Sequence, residues 1–123
     1  MFEIKVIEYF SAAHFLQNYH GKCENIHGHN WKVEVAVRSA LLNEGGMVMD
    51  FKILKQELKK VLSTLDHKSL NELEYFSKIE PSSENIAYFI FNQLKEKINS
   101  YGFQLKYVSA WESENSCALY YEE

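Results

Sequence analysis

Residues 27–38, HGHNWKVEVAVR, decide how this chain is read. His29, Trp31, Val33, Val35 and Val37 recur with a period of two, while Asn30, Lys32, Glu34 and Arg38 take positions of the other parity. A helix would scatter these residues around its circumference; an extended strand sorts them onto two faces, one apolar and one solvated. His27 shares the parity of His29, and that spacing sets two imidazoles on one side of an extended backbone where the strand begins.

Upstream, the even positions Phe2, Ile4, Val6, Phe10, Ala12 and His14 share a parity broken only by Glu8, with Glu3 and Lys5 opposite. This is a second half-buried strand, suited to pairing antiparallel with the first. The intervening FLQNYHGKCENI (15–26) loses the alternation and reads as a long loop, while Asn43 to Met49 form a glycine-containing connection. Downstream, Phe51, Leu54, Leu58, Val61, Leu62 and Leu65 follow a 3.6-residue period behind Asp50, a helix cap. Asp66 to Glu80 are irregular. Pro81-Ser82-Ser83-Glu84 opens a second helix with an apolar stripe of Ile86, Phe89, Ile90, Leu94 and Ile98, and Gly102 stops it. LKYVSAWES and CALYYE alternate again and are joined through Glu114-Asn115. The order is β-β-α-α-β-β, an α+β fold in which two helices cover one face of a four-stranded antiparallel sheet. The other face and the strand edges stay open, so association of copies through edges is a plausible remedy.

At 123 residues, with 46% hydrophobic and 15% aromatic residues, the chain supports a single core, and residues 1–123 are read as one domain. A net charge of −4 gives no overall basic footprint, so no nucleic-acid partner is expected. No apolar run approaches the roughly 20 residues that span a bilayer, and MFEIKVIEYF is unlike a secretory signal. A soluble cytoplasmic protein without a membrane partner is expected, with Cys23 and Cys117 as free thiols.

The chemistry-bearing residues cluster around the strand ends. His14 closes the first strand with the parity of its apolar face, so His14, His27 and His29 converge if the two strands are neighbours. Three neutral imidazoles with a fourth position open are the ligand set of a catalytic zinc ion, and Gly28 removes bulk between two of them. Cys23, four residues before His27, stands either as a fourth ligand or beside the metal as an acid or base; the spacing does not choose. Asp66-His67 follow the first helix, a pair in which the carboxylate can orient the imidazole for proton transfer. Glu112 has the parity of Val108 and Ala110; it stands either exposed on an edge strand or facing the apolar side, where a carboxylate needs donors that the guanidine-like edge of a ligand could supply as two parallel hydrogen bonds. Cys117 reads as a small core residue and His20 as a solvated one.

Taken together, Ala13-His14-Phe15, Cys23-x-x-x-His27-Gly28-His29-Asn30, Val48-Met49-Asp50-Phe51, Leu65-Asp66-His67, Pro81-Ser82-Ser83-Glu84-Asn85 and Trp111-Glu112 resemble the 6-pyruvoyl-tetrahydropterin synthase superfamily along the whole chain. The short Cys-x-x-x-His-Gly-His string is similar to that of the 6-carboxy-tetrahydropterin synthases of queuosine (7-deazaguanine) biosynthesis; pyruvoyl-forming members have a longer gap. Ser113-Glu114-Asn115-Ser116-Cys117 departs from relatives in which Thr and Pro are frequent. The resemblance implies the tunnelling fold, or T-fold, assembled as a hexamer of two stacked trimers with sites between subunits. It implies zinc on His14, His27 and His29, proton transfer by Cys23, Asp66 and His67, and pterin binding by Glu112 with Ser82 and Ser83. The implied lyase reaction turns 7,8-dihydroneopterin triphosphate into 6-carboxy-5,6,7,8-tetrahydropterin, acetaldehyde and triphosphate, with Lys22, Lys52, Lys55 and Lys68 as candidates for the triphosphate. Two other readings stand beside it: a 6-pyruvoyl-tetrahydropterin synthase, and a non-catalytic zinc-stabilised binding module with Cys23 as fourth ligand.

Overall fold

A computed structural model describes all residues, 1–123. Strands β1 (Phe2–His14) and β2 (His27–Ser39) pair antiparallel over their full lengths; helix α1 (Phe51–Leu62) follows, then a two-residue strand β3 (Lys68–Ser69). Helix α2 (Ser83–Ser100) and strands β4 (Gln104–Ser113) and β5 (Ser116–Tyr121) complete the chain. The sheet order is β3-β1-β2-β4-β5. The sheet therefore has five strands rather than the expected four, because β3 adds to the β1 edge in parallel opposite Ala12 and Ala13. Two residues are too few to show an alternation, which is why 66–80 read as irregular. Two short 3-10 turns, Leu70–Glu72 and Glu74–Ser77, fill the rest of that stretch and bury Leu70 and Phe76.

Both helices lie against one sheet face, where Val6, Phe10, Trp31, Val33, Val35, Val37, Val108 and Ala110 meet Leu54, Leu58, Ile86, Ile90, Leu94 and Ile98. Asp50 caps α1 by accepting the Lys52 N–H, and Ser82 caps α2 by accepting that of Asn85 at 3.2 Å. Gly102 takes a positive φ of 86° just past α2, a conformation that a side chain would strain. Phe51, assigned to the buried stripe of α1, is the first residue of that helix and is 55% exposed. Cys117, read as a core residue, is exposed: it pairs with Trp111 on the sheet face that no helix covers. Glu8, the break in the β1 alternation, points toward α1 and meets Lys59 at 3.8 Å.

Candidate metal centre

The antiparallel ladder of β1 and β2 ends on the rung His14–His27, preceded by Ala12–His29 and Phe10–Trp31. Alternation along both strands then puts all three imidazoles on the helix-facing side, with ring centroids 4.7 Å (His14–His27), 5.2 Å (His14–His29) and 4.7 Å (His27–His29) apart. Trp31 packs edge-on beneath His14 and His29 at 5.1 and 5.4 Å. Gly28 has the opposite parity and faces away; a Cβ there would meet only the Ala12 carbonyl, at 3.9 Å. It clears no space for a metal, contrary to its reading from sequence.

β4 brings a fourth group. Trp111 pairs with Lys32 of β2, so Glu112 comes abreast of Trp31 on the histidine side. Against β5 the register slips between Trp111 and Ser113, leaving Glu112 as an extra residue without a partner, and such a bulge re-aims its side chain. Its Oε1 lies 2.9 Å from His29 Nε2, 3.8 Å from His27 Nε2 and 3.9 Å from His14 Nε2. Ser83, at the first turn of α2, donates its hydroxyl to the other oxygen at 3.3 Å. One donor atom from each of His14, His27, His29 and Glu112 falls within 4.8 Å of the others. Ligands around a tetrahedral ion at bond lengths of about 2.0–2.1 Å sit about 3.3 Å apart, so the group is close to a coordination shell.

Hydrogen bonding fixes which nitrogens face inward. His14 Nδ1 lies 2.7 Å from the Pro81 carbonyl and His27 Nδ1 2.9 Å from that of Asn25. A carbonyl only accepts, so each Nδ1 carries a proton, and Nε2 is the nitrogen that each ring turns to the centre as a possible ligand. Nε2 of His14 and of His29 are buried without a hydrogen-bond partner, and Glu112 Oε1 comes within 2.9 Å of the latter. Buried, unpaired lone pairs aimed at one point are costly unless a cation fills it. Burial, together with the neighbouring His14 and His27 rings, holds the His29 imidazole below its ordinary pKa against the pull of Glu112, which favours the neutral, ligating form. The residues therefore fit a divalent metal.

Asp66 and His67 are brought together at the β1 edge. Asp66 Oδ1 accepts the Ser11 N–H at 2.9 Å, and Oδ2 lies 3.0 Å from His67 Nδ1. The Ser11 N–H first, and His67 second, hold the Asp66 carboxyl below its usual range, so it remains ionised and able to orient the imidazole at neutral pH. His67 has a positive φ of 58°, rare for a residue with a side chain; its N–H is tied to the Ser11 carbonyl at 2.6 Å. The ring itself is exposed and, with Lys68, lines a depression that His29 also borders.

Cys23 is exposed, makes no side-chain hydrogen bond and is not among the converging donors; it borders a second depression with Lys22 and His27. The fourth donor in the group is the Glu112 carboxylate, not the thiol. Cys23 and His67 thus border different depressions, one beside His27 and the other beside His29. Ser82 is engaged as the α2 cap and Ser83 touches Glu112. Of the other lysines, Lys55 borders a depression beside Phe51, and Lys52 sits with it on α1. Sequence reasoning missed the Pro81 and Asn25 carbonyls and the Ser11 amide, main-chain groups that carry no residue signature. Trp31, in contrast, has the parity that leads to it.

The match to known proteins is extensive. Residues 3–123 match the family model described as 6-pyruvoyl tetrahydropterin synthase. An Archaeoglobus fulgidus protein provisionally named 6-carboxy-5,6,7,8-tetrahydropterin synthase is 44% identical over 110 residues, covering 89% of this chain and 86% of that one. The Haemophilus influenzae protein named 6-carboxy-5,6,7,8-tetrahydropterin synthase is 32% identical over 144 residues, covering 99% and 100%. Among solved structures, Caenorhabditis elegans 6-pyruvoyl tetrahydropterin synthase superposes with a TM-score of 0.86 at 31% identity, covering 99% of this chain and 96% of that one.

Proposed function

The chain belongs to the 6-pyruvoyl tetrahydropterin synthase family, and on that premise we propose that it is a zinc-dependent 6-carboxy-5,6,7,8-tetrahydropterin synthase. Its substrate is 7,8-dihydroneopterin triphosphate and its products are 6-carboxy-tetrahydropterin, acetaldehyde and triphosphate, an early step of queuosine biosynthesis. The observation that carries the reading is the convergence of three imidazole Nε2 atoms beside a loop holding Cys23 only four residues before His27. The carboxy name of the two relatives above supports the same product; the pyruvoyl name of the structural neighbour keeps the pyruvoyl-forming reaction as the second reading.

His14, His27 and His29 would hold the zinc ion, which supplies Lewis acidity toward the side-chain hydroxyls of the substrate. Cys23 takes a proton from the side chain, and His67, kept in place by Asp66, handles protons on the other side. Two separated proton handlers suit a reaction that moves hydrogen from side chain to ring. They border different depressions in one chain, so a site shared between copies, as in a hexamer of stacked trimers, would bring the dyad of one to the thiol of the next. Glu112 accepts hydrogen bonds from the pterin ring, aided by Ser82 and Ser83, and Lys22 and Lys68, beside these groups, are placed for the triphosphate. No helix is long and apolar enough to cross a membrane.

Product analysis by mass spectrometry after incubation with dihydroneopterin triphosphate tests the assignment. Acetaldehyde in step with 6-carboxy-tetrahydropterin is expected; a pyruvoyl product without acetaldehyde would transfer the chain to the second reading. Glu112→Gln provides a test of the ring contact, because it replaces one acceptor oxygen by a donor. Titration with an unreactive pterin should show binding weakened by about 1–3 kcal/mol. Unaltered affinity would assign Glu112 to the metal alone.

A further inference from the structure

None of the twelve residues 15–26 is buried, so packing does not hold the loop that carries Cys23. Hydrogen bonds do. Within the loop, Tyr19 and Lys22 exchange backbone bonds at 2.6 and 3.0 Å, and Glu24 bonds Leu16 through both its N–H and its carboxylate. From outside, Asn71 grips Phe15 at both N–H and C=O. At the other end the Asn25 carbonyl meets His27 of β2, and between these the anchor is Glu80, whose Oε1 accepts the Gln17 N–H at 2.9 Å and whose Oε2 accepts the Asn18 N–H at 3.1 Å.

Glu80 is itself held firmly. Its carbonyl accepts from Asn85 Nδ2 at 2.9 Å in the first turn of α2, and the next carbonyl in the chain, that of Pro81, is the one that fixes His14. One short segment thus grips a metal-facing imidazole with its backbone and the Cys23 loop with a carboxylate. Two consecutive N–H groups matched by two anionic oxygens make a charge-assisted fork, stronger and more directional than a pair of neutral bonds.

The geometry points to Glu80 as a positioning residue that registers the Cys23 loop against the histidine centre and so fixes where the thiol stands relative to substrate. This rests on Cys23 acting as the proton-transfer group. Nothing else in the structure gives the Gln17 and Asn18 amides a protein partner. Without Glu80 they turn to water, and the first half of the loop is restrained only at Phe15–Leu16 and by its Tyr19–Lys22 pair, while Glu24 and Asn25 keep their bonds to Leu16 and His27. The histidines remain in place, because β1 and β2 hold them independently.

Glu80→Ala and Glu80→Gln in the full-length, metal-loaded protein test this. Both variants should keep the parent's metal content. In Glu80→Ala, kcat should fall by about tenfold to a hundredfold, the size of effect that misplacing a reacting group produces, while KM stays near the parent value. Glu80→Gln keeps one acceptor oxygen and should fall between the two. Iodoacetamide labelling, read peptide by peptide, should show a changed rate at Cys23 relative to Cys117, which lies on β5 away from the loop and serves as internal reference. An unchanged labelling ratio together with an unchanged kcat in either variant would overturn the assignment. So would loss of metal in parallel with kcat, since Glu80 would then support the histidines rather than the thiol. A parent protein that leaves dihydroneopterin triphosphate untouched would sink the proposed function instead, and the labelling ratio would still decide what Glu80 does.

Discussion

Replacing His27 by alanine is expected to strip the metal and abolish turnover while leaving a folded protein. His14 is the more buried ligand, and its removal would open a hole beside Trp31 and confuse a binding defect with a packing defect. The His27 side chain is 34% exposed, outside the apolar core, so little packing is lost with it. What is lost is one of three nitrogens in a catalytic-type shell, along with the Asn25 carbonyl contact that orients it. Metal analysis should show sub-stoichiometric zinc after dialysis, and added zinc should no longer raise the melting temperature as binding to the native state requires. Circular dichroism should remain that of the parent. Full zinc occupancy with unchanged kinetics would remove His27 from the ligand set.

The second large effect is expected from Cys23→Ala, with the opposite pattern in metal content. The thiol is exposed, unbonded and absent from the converging donors, so its loss should disturb neither fold nor zinc stoichiometry. Losing a general base costs roughly 10²- to 10⁴-fold in rate, and single-turnover measurements should find a deficit of that order with substrate binding largely retained. If zinc departs with the thiol and the domain unfolds, Cys23 is a structural ligand and the catalytic reading loses its base.

Most of the site was legible because strand alternation is a strict rule. Once His14, His27 and His29 were assigned the parity of Phe10 and Trp31, any in-register pairing of the two strands had to gather them. The parity of Glu112 was read correctly for the same reason, but the bulge that frees it from β5 has no residue signature, and its carboxylate lies among the histidines rather than apart from them. Cys117 misled because alternation divides a short strand into two faces without saying which of them the helices cover. β3 is shorter than the period that would reveal it, and the bond from His14 to Pro81 joins residues 67 positions apart through a main-chain oxygen. The helix cap at Asp50 and the helix start at Pro81-Ser82-Ser83-Glu84, by contrast, are local chemistry and were readable where they stand.

The rung His14–His27 closes the β1–β2 ladder, and the whole of 15–26 hangs outside it. Two metal-facing side chains are therefore the hinge posts of a removable segment: whatever lies between them can lengthen, shorten or be exchanged while the posts stay paired. Closing a longer loop on posts already fixed by the sheet costs little, about 0.6 kcal/mol per doubling of length. Metal binding and reaction outcome are thus separately editable in this architecture. A graft that replaces the loop but restores both posts and a carbonyl in the place of that of Asn25 should inherit the candidate metal site and bring its own proton donor or acceptor, which makes the segment a natural unit for diversifying chemistry on one scaffold.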